Sequence, residues 1–138
     1  MATRRSPVHL HGELTGGWIV GVDPEQARAA TRLVESACSE QSTGYISVVV
    51  LVELVWVLVA AYDFEGDVIA SVLGQILRTT EFTVEDGDLA WHALREFESD
   101  NAGFADCLLA HRNHSSGCST TFTFDRKAAK GRHFTLVP

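Results

Sequence analysis

The feature that most constrains this 138-residue chain is an apolar run, ISVVVLVELVWVLVAAY, which extends from Ile46 to Tyr62. Its single charged residue is Glu53. The run is too long for an ordinary strand, and a membrane-spanning helix needs about 20 apolar residues. It therefore predicts a buried helix from Val48 to Ala61, packed in the core or also against a partner subunit, and no membrane span. A buried, unpaired carboxylate is unfavourable, so Glu53 should have a partner.

Composition is typical of one globular domain, with 46% apolar and 21% charged residues, and we expect residues 1–138 to form it. The net charge of −7 argues weakly against a general nucleic-acid binder. The local distribution of charge is different, because the segment from Asp125 to Pro138 is basic. Its cations are Arg126, Lys127, Lys130 and Arg132. These side chains are candidate phosphate contacts, or they form an ordinary solvated face.

Cysteine use predicts a reducing compartment. Cys38, Cys107 and Cys118 are odd in number, and no pair has the C-x-x-C spacing of a zinc site. The first residues start basic but have no apolar segment of the kind found in a signal peptide. We therefore expect a cytoplasmic protein.

Short apolar strands separated by helices predict an α/β fold with a mostly parallel sheet. Asp23 and Pro24 mark the start of a first helix, and Ser47 is placed to cap the apolar helix. Strands are expected at YIS, at Phe82–Val84, at STTFTF and at Phe134–Val137. In open parallel sheets, functional residues lie at the carboxyl ends of the strands.

Three acids occur where partial burial is expected: Glu53 in the apolar helix, Asp106 in the helix AGFADCLLAHRNH, and Asp125 at the end of TFTF. If the three carboxylates converge, a hard cation such as Mg²⁺ or Mn²⁺ would offset their repulsion and support phosphoryl chemistry. Each acid also has a purely structural interpretation. Glu53 would pair with a buried group. Asp106 would be stabilised by the dipole of its helix, because it lies near the helix start. Asp125 would be the N-cap of RKAAK.

The motifs DPEQARAATRL, ISVVVLVELVWVL, FADCLLA and TFTFDRKAA together resemble the PIN-domain family, and more closely its VapC-type toxins, over roughly Trp18 to Val137. The resemblance implies a three-layer α/β/α sandwich with a short, mostly parallel sheet. It further implies a metal-dependent endoribonuclease that is usually dimeric and is held inactive by a cognate antitoxin.

By the same resemblance, Glu53, Asp106 and Asp125 match the family's acidic ligands for Mg²⁺ or Mn²⁺, with Ser47 and Thr123 as polar support. Many members carry another acid three residues before the helix aspartate. In this sequence that place is occupied by Gly103.

The sequence departs from the family at its start, because no Asp-Thr-Asn ends a first strand and residues 1–17 are atypical. Three explanations stay open. Glu13 or His11 substitutes as a ligand, the start of the gene is damaged or frame-shifted, or the domain binds without cleaving. Despite this departure, the resemblance implies a toxin-type ribonuclease that cleaves RNA. The alternatives are an impaired PIN module that only binds its antitoxin or dimerises, and a plain structural α/β domain.

Overall fold

The computed structural model describes residues 8–9, 24–99 and 102–138 of the chain. The five helices of this part are α1 (Pro24–Ala37), α2 (Val48–Ala60), α3 (Gly66–Arg78), α4 (Gly87–Ser99) and α5 (Phe104–Ser115). The five strands are β1 (Val8–His9), β2 (Gly44–Ile46), β3 (Phe82–Val84), β4 (Thr121–Thr123) and β5 (Phe134–Leu136), and a 3₁₀ turn covers Ala128–Lys130.

Strands and helices alternate, and the strand pairs of the described residues are parallel. β2 lies between β1 and β3, with Tyr45 opposite His9 on one side and Thr83 on the other. β4 pairs with β5, with Phe122 opposite Thr135. The predicted α/β fold with short parallel strands is confirmed.

The chain divides into two compact units, residues 1–87 and residues 88–138. The expectation that residues 1–138 form one domain stays a prediction. Within the described residues, no helix is long and apolar enough to cross a bilayer.

In the first unit, α2 contacts α3, and α3 packs against β3. The hydroxyl oxygen of Ser47 accepts a hydrogen bond from the Val50 N–H at 3.2 Å, so the predicted cap is confirmed. The side of α2 that packs inward buries Val48, Leu51, Leu54 and Leu58. Each fully buried leucine of this kind contributes about 1.5–3 kcal/mol from the loss of water contact.

In the second unit, the two-stranded sheet contacts both the 3₁₀ turn and α5. The 3₁₀ turn packs on β4 and β5, and Asn113 Nδ2 of α5 donates to Thr121 Oγ1 at 3.1 Å. The helix α5 begins at Phe104, with Gly103 as its N-cap residue. The sequence placed this start two residues earlier, and the difference moves Asp106 into the first turn of the helix.

Candidate functional site

The helix α2 carries Glu53 on its exposed side. The prediction that Glu53 is buried is therefore wrong. The same side of the helix leaves Val49 73% and Trp56 69% exposed, and helical periodicity places both residues beside Glu53. The reason is geometric, since the core of a small unit covers one face of a helix, whatever the composition of the opposite face.

A further acid, Glu85, lies at the carboxyl ends of β2 and β3. Glu85 follows β3 directly, its N–H donates to the Ile46 carbonyl at 2.8 Å, and its carboxylate accepts from the Tyr45 hydroxyl at 3.1 Å. Partial burial, the Glu85 hydrogen bond and the charges of Glu85 and Asp86 raise the pKa of Tyr45. The sequence analysis did not single out Glu85. The pattern FTVED, with acids immediately after a strand, is the signal that points to it.

Asp125 lies two residues beyond β4 in a turn that is held by local hydrogen bonds. Its N–H donates to Thr123 Oγ1 at 3.0 Å, whereas a supporting role of Thr123 at a metal site stays a prediction. Its Oδ1 accepts from the N–H groups of Lys127, at 2.8 Å, and Ala128, at 3.3 Å. Asp125 thus accepts hydrogen bonds from the start of RKAAK, as its structural interpretation predicts, although Lys127 is the N-cap residue of the 3₁₀ turn. The Asp125 side chain is exposed.

Asp106 occupies the third position of α5, where the positive end of the helix dipole favours a carboxylate. Partial burial, and then the negative charge of Asp125, nevertheless raise the pKa of Asp106. The second unit therefore brings these two predicted site residues within electrostatic reach of each other. Gly103 adjoins the pair, because a Cβ atom built there would lie 3.8 Å from Asp106 Oδ2.

Two carboxylates close enough to repel each other fit a hard divalent cation, which bonds to oxygen and removes the repulsion. Among residues 8–9, 24–99 and 102–138, no three His, Cys, Asp or Glu side chains form a metal-holding group. Convergence of Glu53 with the aspartate pair stays a prediction. The substitute ligands Glu13 and His11 lie outside the described residues.

The basic segment after Asp125 is exposed, as a phosphate-binding surface requires. The exposed cations are Arg126, Lys127, Lys130 and Arg132. Contact of these side chains with RNA stays a prediction.

A cluster of histidines in the second unit was not foreseen from the sequence. The ring of His133 stacks on His114, with centroids 4.6 Å apart, and lies edge-on to His111 at 5.2 Å. His111 also stacks on His92 and bonds to the Glu96 carboxylate. Among the residues that the structure describes, no three His, Cys, Asp or Glu side chains form a group that could hold a metal, so the cluster is a packing arrangement.

The cysteines Cys107 and Cys38 are buried and are not part of the candidate metal site. Cys107, next to Asp106 in the sequence, is 1% exposed and belongs to the core. Burial, and secondarily the charge of Glu81, raises the pKa of Cys38 and keeps its thiol protonated.

A family model for the PIN domain matches residues 17–132, most of the chain. The chain belongs to the PIN-domain family. PIN domains are generally nucleases that use divalent metal ions, and the aspartate pair of the second unit suits such chemistry. Among curated proteins, none matches the chain.

Proposed function

We propose that this PIN domain is a metal-dependent endoribonuclease that hydrolyses RNA phosphodiester bonds, as the toxin of a toxin–antitoxin pair. The observation that carries the proposal is the aspartate pair, in which the charge of Asp125 contributes to the raised pKa of Asp106. A repulsive pair of carboxylates at the end of a strand is unfavourable for stability alone and favourable for cation binding.

In this proposal, Asp106 and Asp125 hold Mg²⁺ or Mn²⁺ together with Glu53 from α2. The bound ion would supply Lewis-acid activation of water and neutralisation of phosphate charge. The protein's own groups have separate tasks. The Thr123 hydroxyl and the N–H groups of Lys127 and Ala128 fix Asp125, which leaves its Oδ2 as the oxygen not engaged by these two bonds.

The exposed cations after Asp125 would bind the RNA backbone and orient a phosphodiester towards the carboxylates. This role explains why a basic segment occurs on a chain whose net charge is −7. Binding of this kind weakens with salt, which distinguishes it from burial of apolar surface.

The exposed apolar side of α2, formed by Val49, Trp56 and Val59 around Glu53, supports the partner part of the proposal. Apolar residues adjacent on one helix face are typical of a protein-binding surface. We propose that this surface contacts a second copy of the chain or the cognate antitoxin. It also supports the second candidate, a PIN module that binds such a partner without cleaving RNA, which the missing Asp-Thr-Asn favours.

RNA cleavage in Mg²⁺ or Mn²⁺ tests the proposal on four purified proteins: the native chain, Glu53→Gln, Asp106→Asn and the control Glu98→Gln. Glu98 is an exposed acid on α4 of the second unit, outside the proposed ligand set. Loss of a metal ligand should lower the cleavage rate at least about 100-fold. Substitution of a residue that only orients a ligand already lowers metal affinity or activity by about 10–100-fold. Glu98→Gln should cleave like the native protein.

Two outcomes separate the candidates. Equal cleavage by the native protein, Glu53→Gln and Asp106→Asn would remove the metal-site assignment. No cleavage by the native chain, with activity gained in His11→Asp, would identify an impaired toxin that lacks its first acid. If both proteins are inactive, the binding-only module is the correct function.

A further inference from the structure

Two phenylalanines beside Asp125 are exposed to an extent that the core of the second unit does not explain. Phe122, in the middle of β4, is 64% exposed, and Phe124, directly before Asp125, is 85% exposed. Large aromatic side chains are normally withdrawn from water, because each buries 150–250 Å² when it packs. A pair left in water at a candidate active site suggests a ligand with an aromatic surface.

The sheet formed by β4 and β5 has two unlike faces. Side chains alternate along a strand, so Phe122 points away from the face that holds Thr121 and Thr123. Thr121 accepts from Asn113 of α5, and Thr123 accepts from the Asp125 N–H. The threonine face is therefore engaged by the protein itself, whereas the Phe122 side faces water.

Positively charged residues follow the two phenylalanines in the same segment of the chain. Arg126 and Lys127 follow Asp125 immediately, and both side chains are exposed. Successive residues span at most about 3.6 Å each, so an aromatic ring, the candidate catalytic carboxylate and two cations lie within a few residues' length of one another. Aromatic rings for bases beside cations for phosphates form the usual surface for single-stranded nucleic acid.

We propose that Phe124, with Phe122 beside it, is a base-stacking platform that selects single-stranded RNA and positions it at Asp125. Unpaired bases stack on the two rings, while Arg126 and Lys127 hold the adjoining phosphates. Duplex RNA does not use the platform, because its bases already stack on one another and only their edges are accessible. The inference rests on the proposed nuclease function and assigns a base-binding subsite beside the same site.

Binding of a fluorescein-labelled 12-nucleotide oligouridine, measured by anisotropy in EDTA, tests the platform without requiring cleavage. Phe124→Leu should weaken binding about tenfold, since one base stacked on an aromatic ring contributes 1–3 kcal/mol. Phe124→Trp should bind at least as tightly as native protein, and its added indole fluorescence should be quenched by the RNA. Because Phe124 is exposed, these variants should fold normally.

The matched control is Tyr62→Leu, which removes another exposed aromatic, 42% exposed, whose chain neighbours Ala61 and Asp63 carry no positive charge. It should bind the oligonucleotide like native protein. A 12-base-pair RNA duplex should bind native protein and Phe124→Leu equally. Unchanged oligouridine affinity in Phe124→Leu, or an equal loss for single-stranded and duplex RNA, would overturn the platform.

Cleavage is measured separately in Mn²⁺, so that the two proposals fail in different ways. Phe124-dependent binding without any cleavage would refute the nuclease and leave the platform standing. Cleavage with the same KM in native protein and Phe124→Leu would refute the platform alone. If Phe124→Leu instead converts a dimer to a monomer in sedimentation and leaves RNA affinity unchanged, the two rings form a protein contact, and the platform is again overturned.

Discussion

Glu53 and Asp125 are held in place by different means. Glu53 lies on α2, and leucines on the opposite side of this helix set the position of the helix. Asp125 is held by three hydrogen bonds to residues within three positions of it in sequence. One acid is positioned by tertiary structure and the other by its immediate neighbours.

This difference explains why one site residue was described correctly from the sequence and the other was not. A cap is visible in sequence, because a strand, an Asp and a short RKAAK segment already specify the hydrogen bonds. Burial on a helix whose every face is apolar is not visible, because composition does not say which face meets the core. The comparison also predicts which substitutions will disturb each acid.

Leu54→Ala should have the largest effect of the predicted changes, because Leu54 is 2% exposed on the packed side of α2. Loss of a buried leucine costs about 2–5 kcal/mol in the free energy of unfolding, from lost burial and the cavity left behind. Val49→Ala, on the exposed side of the same helix, should stay within about 0.5 kcal/mol of native. Chemical denaturation of both proteins measures the two values.

Equal costs for Leu54→Ala and Val49→Ala would show that the face carrying Glu53 is covered in solution. If both costs also fall on dilution of the protein, self-association is the cover, and the homodimer part of the proposal gains support.

Most of the secondary structure could be predicted from the sequence, because local signals were consistent. Phe82–Val84 has the strand bounds expected of it, and Ser47 caps α2 as its position before the apolar run suggested. The start of α5 was misjudged because Gly103, a cap without a side-chain hydrogen bond, leaves no polar signature in the sequence.

Long-range features of the site were harder to predict. Asp106 and Asp125 were named as partners, and their proximity follows from the packing of the second unit. The histidine cluster was not named, since His92, His111 and His133 are separated by 19 or more residues and meet only when α4, α5 and β5 pack together. Contacts between distant elements depend on tertiary geometry, which periodicity does not encode.

Gly103→Asp should strengthen divalent-metal binding to the second unit by about tenfold or more, the scale of a supporting group at a metal site. The new carboxylate would begin at a Cβ position 3.8 Å from Asp106 Oδ2, and Gly103 has the extended backbone (φ −67°, ψ 154°) that any residue adopts. Mn²⁺ titration by calorimetry measures the change.

Gly103→Asn is the matched control, with the same shape and no charge, and it should leave Mn²⁺ affinity near native. If both variants bind Mn²⁺ equally, the site does not respond to an added carboxylate, and the assignment of Asp106 as a ligand is wrong.

Asp125→Ala and Asp125→Asn should separate the structural role of this residue from its proposed chemical role. Alanine removes the acceptor for the Lys127 and Ala128 N–H groups and should cost about 1 kcal/mol in the free energy of unfolding. Asparagine keeps an oxygen at that position and should be close to native in stability. Both variants should lose RNA cleavage, because both lose the charge.

Cleavage retained by Asp125→Asn and lost by Asp125→Ala would mean that Asp125 contributes its turn and not its charge. Thermal unfolding and a cleavage assay on the same preparations are sufficient to decide.

The smallest predicted effect is a pH dependence in the second unit. Burial, then the like charges of His114 and His111, lower the pKa of His133 from its ordinary 6.5; Arg132 acts in the same direction, and Glu96 opposes it. Above pH 6.5 His133 is neutral in both states and adds no dependence. As the pH falls below 6.5 the unfolded chain takes up this proton first, so stability should decrease until the folded-state pKa is also passed.

Variants of the neighbouring groups sharpen this last prediction, because they should move the pKa of His133 in opposite directions. His114→Gln removes a cationic neighbour and should raise the His133 pKa towards 6.5, which flattens the loss of stability below that pH. Glu96→Gln removes the one opposing charge and should lower the His133 pKa further. NMR titration of the His133 ring protons measures both shifts. Shifts of the same sign would mean that His133 responds to a change in packing and not to charge, and the cluster would then be a structural contact between α5 and β5.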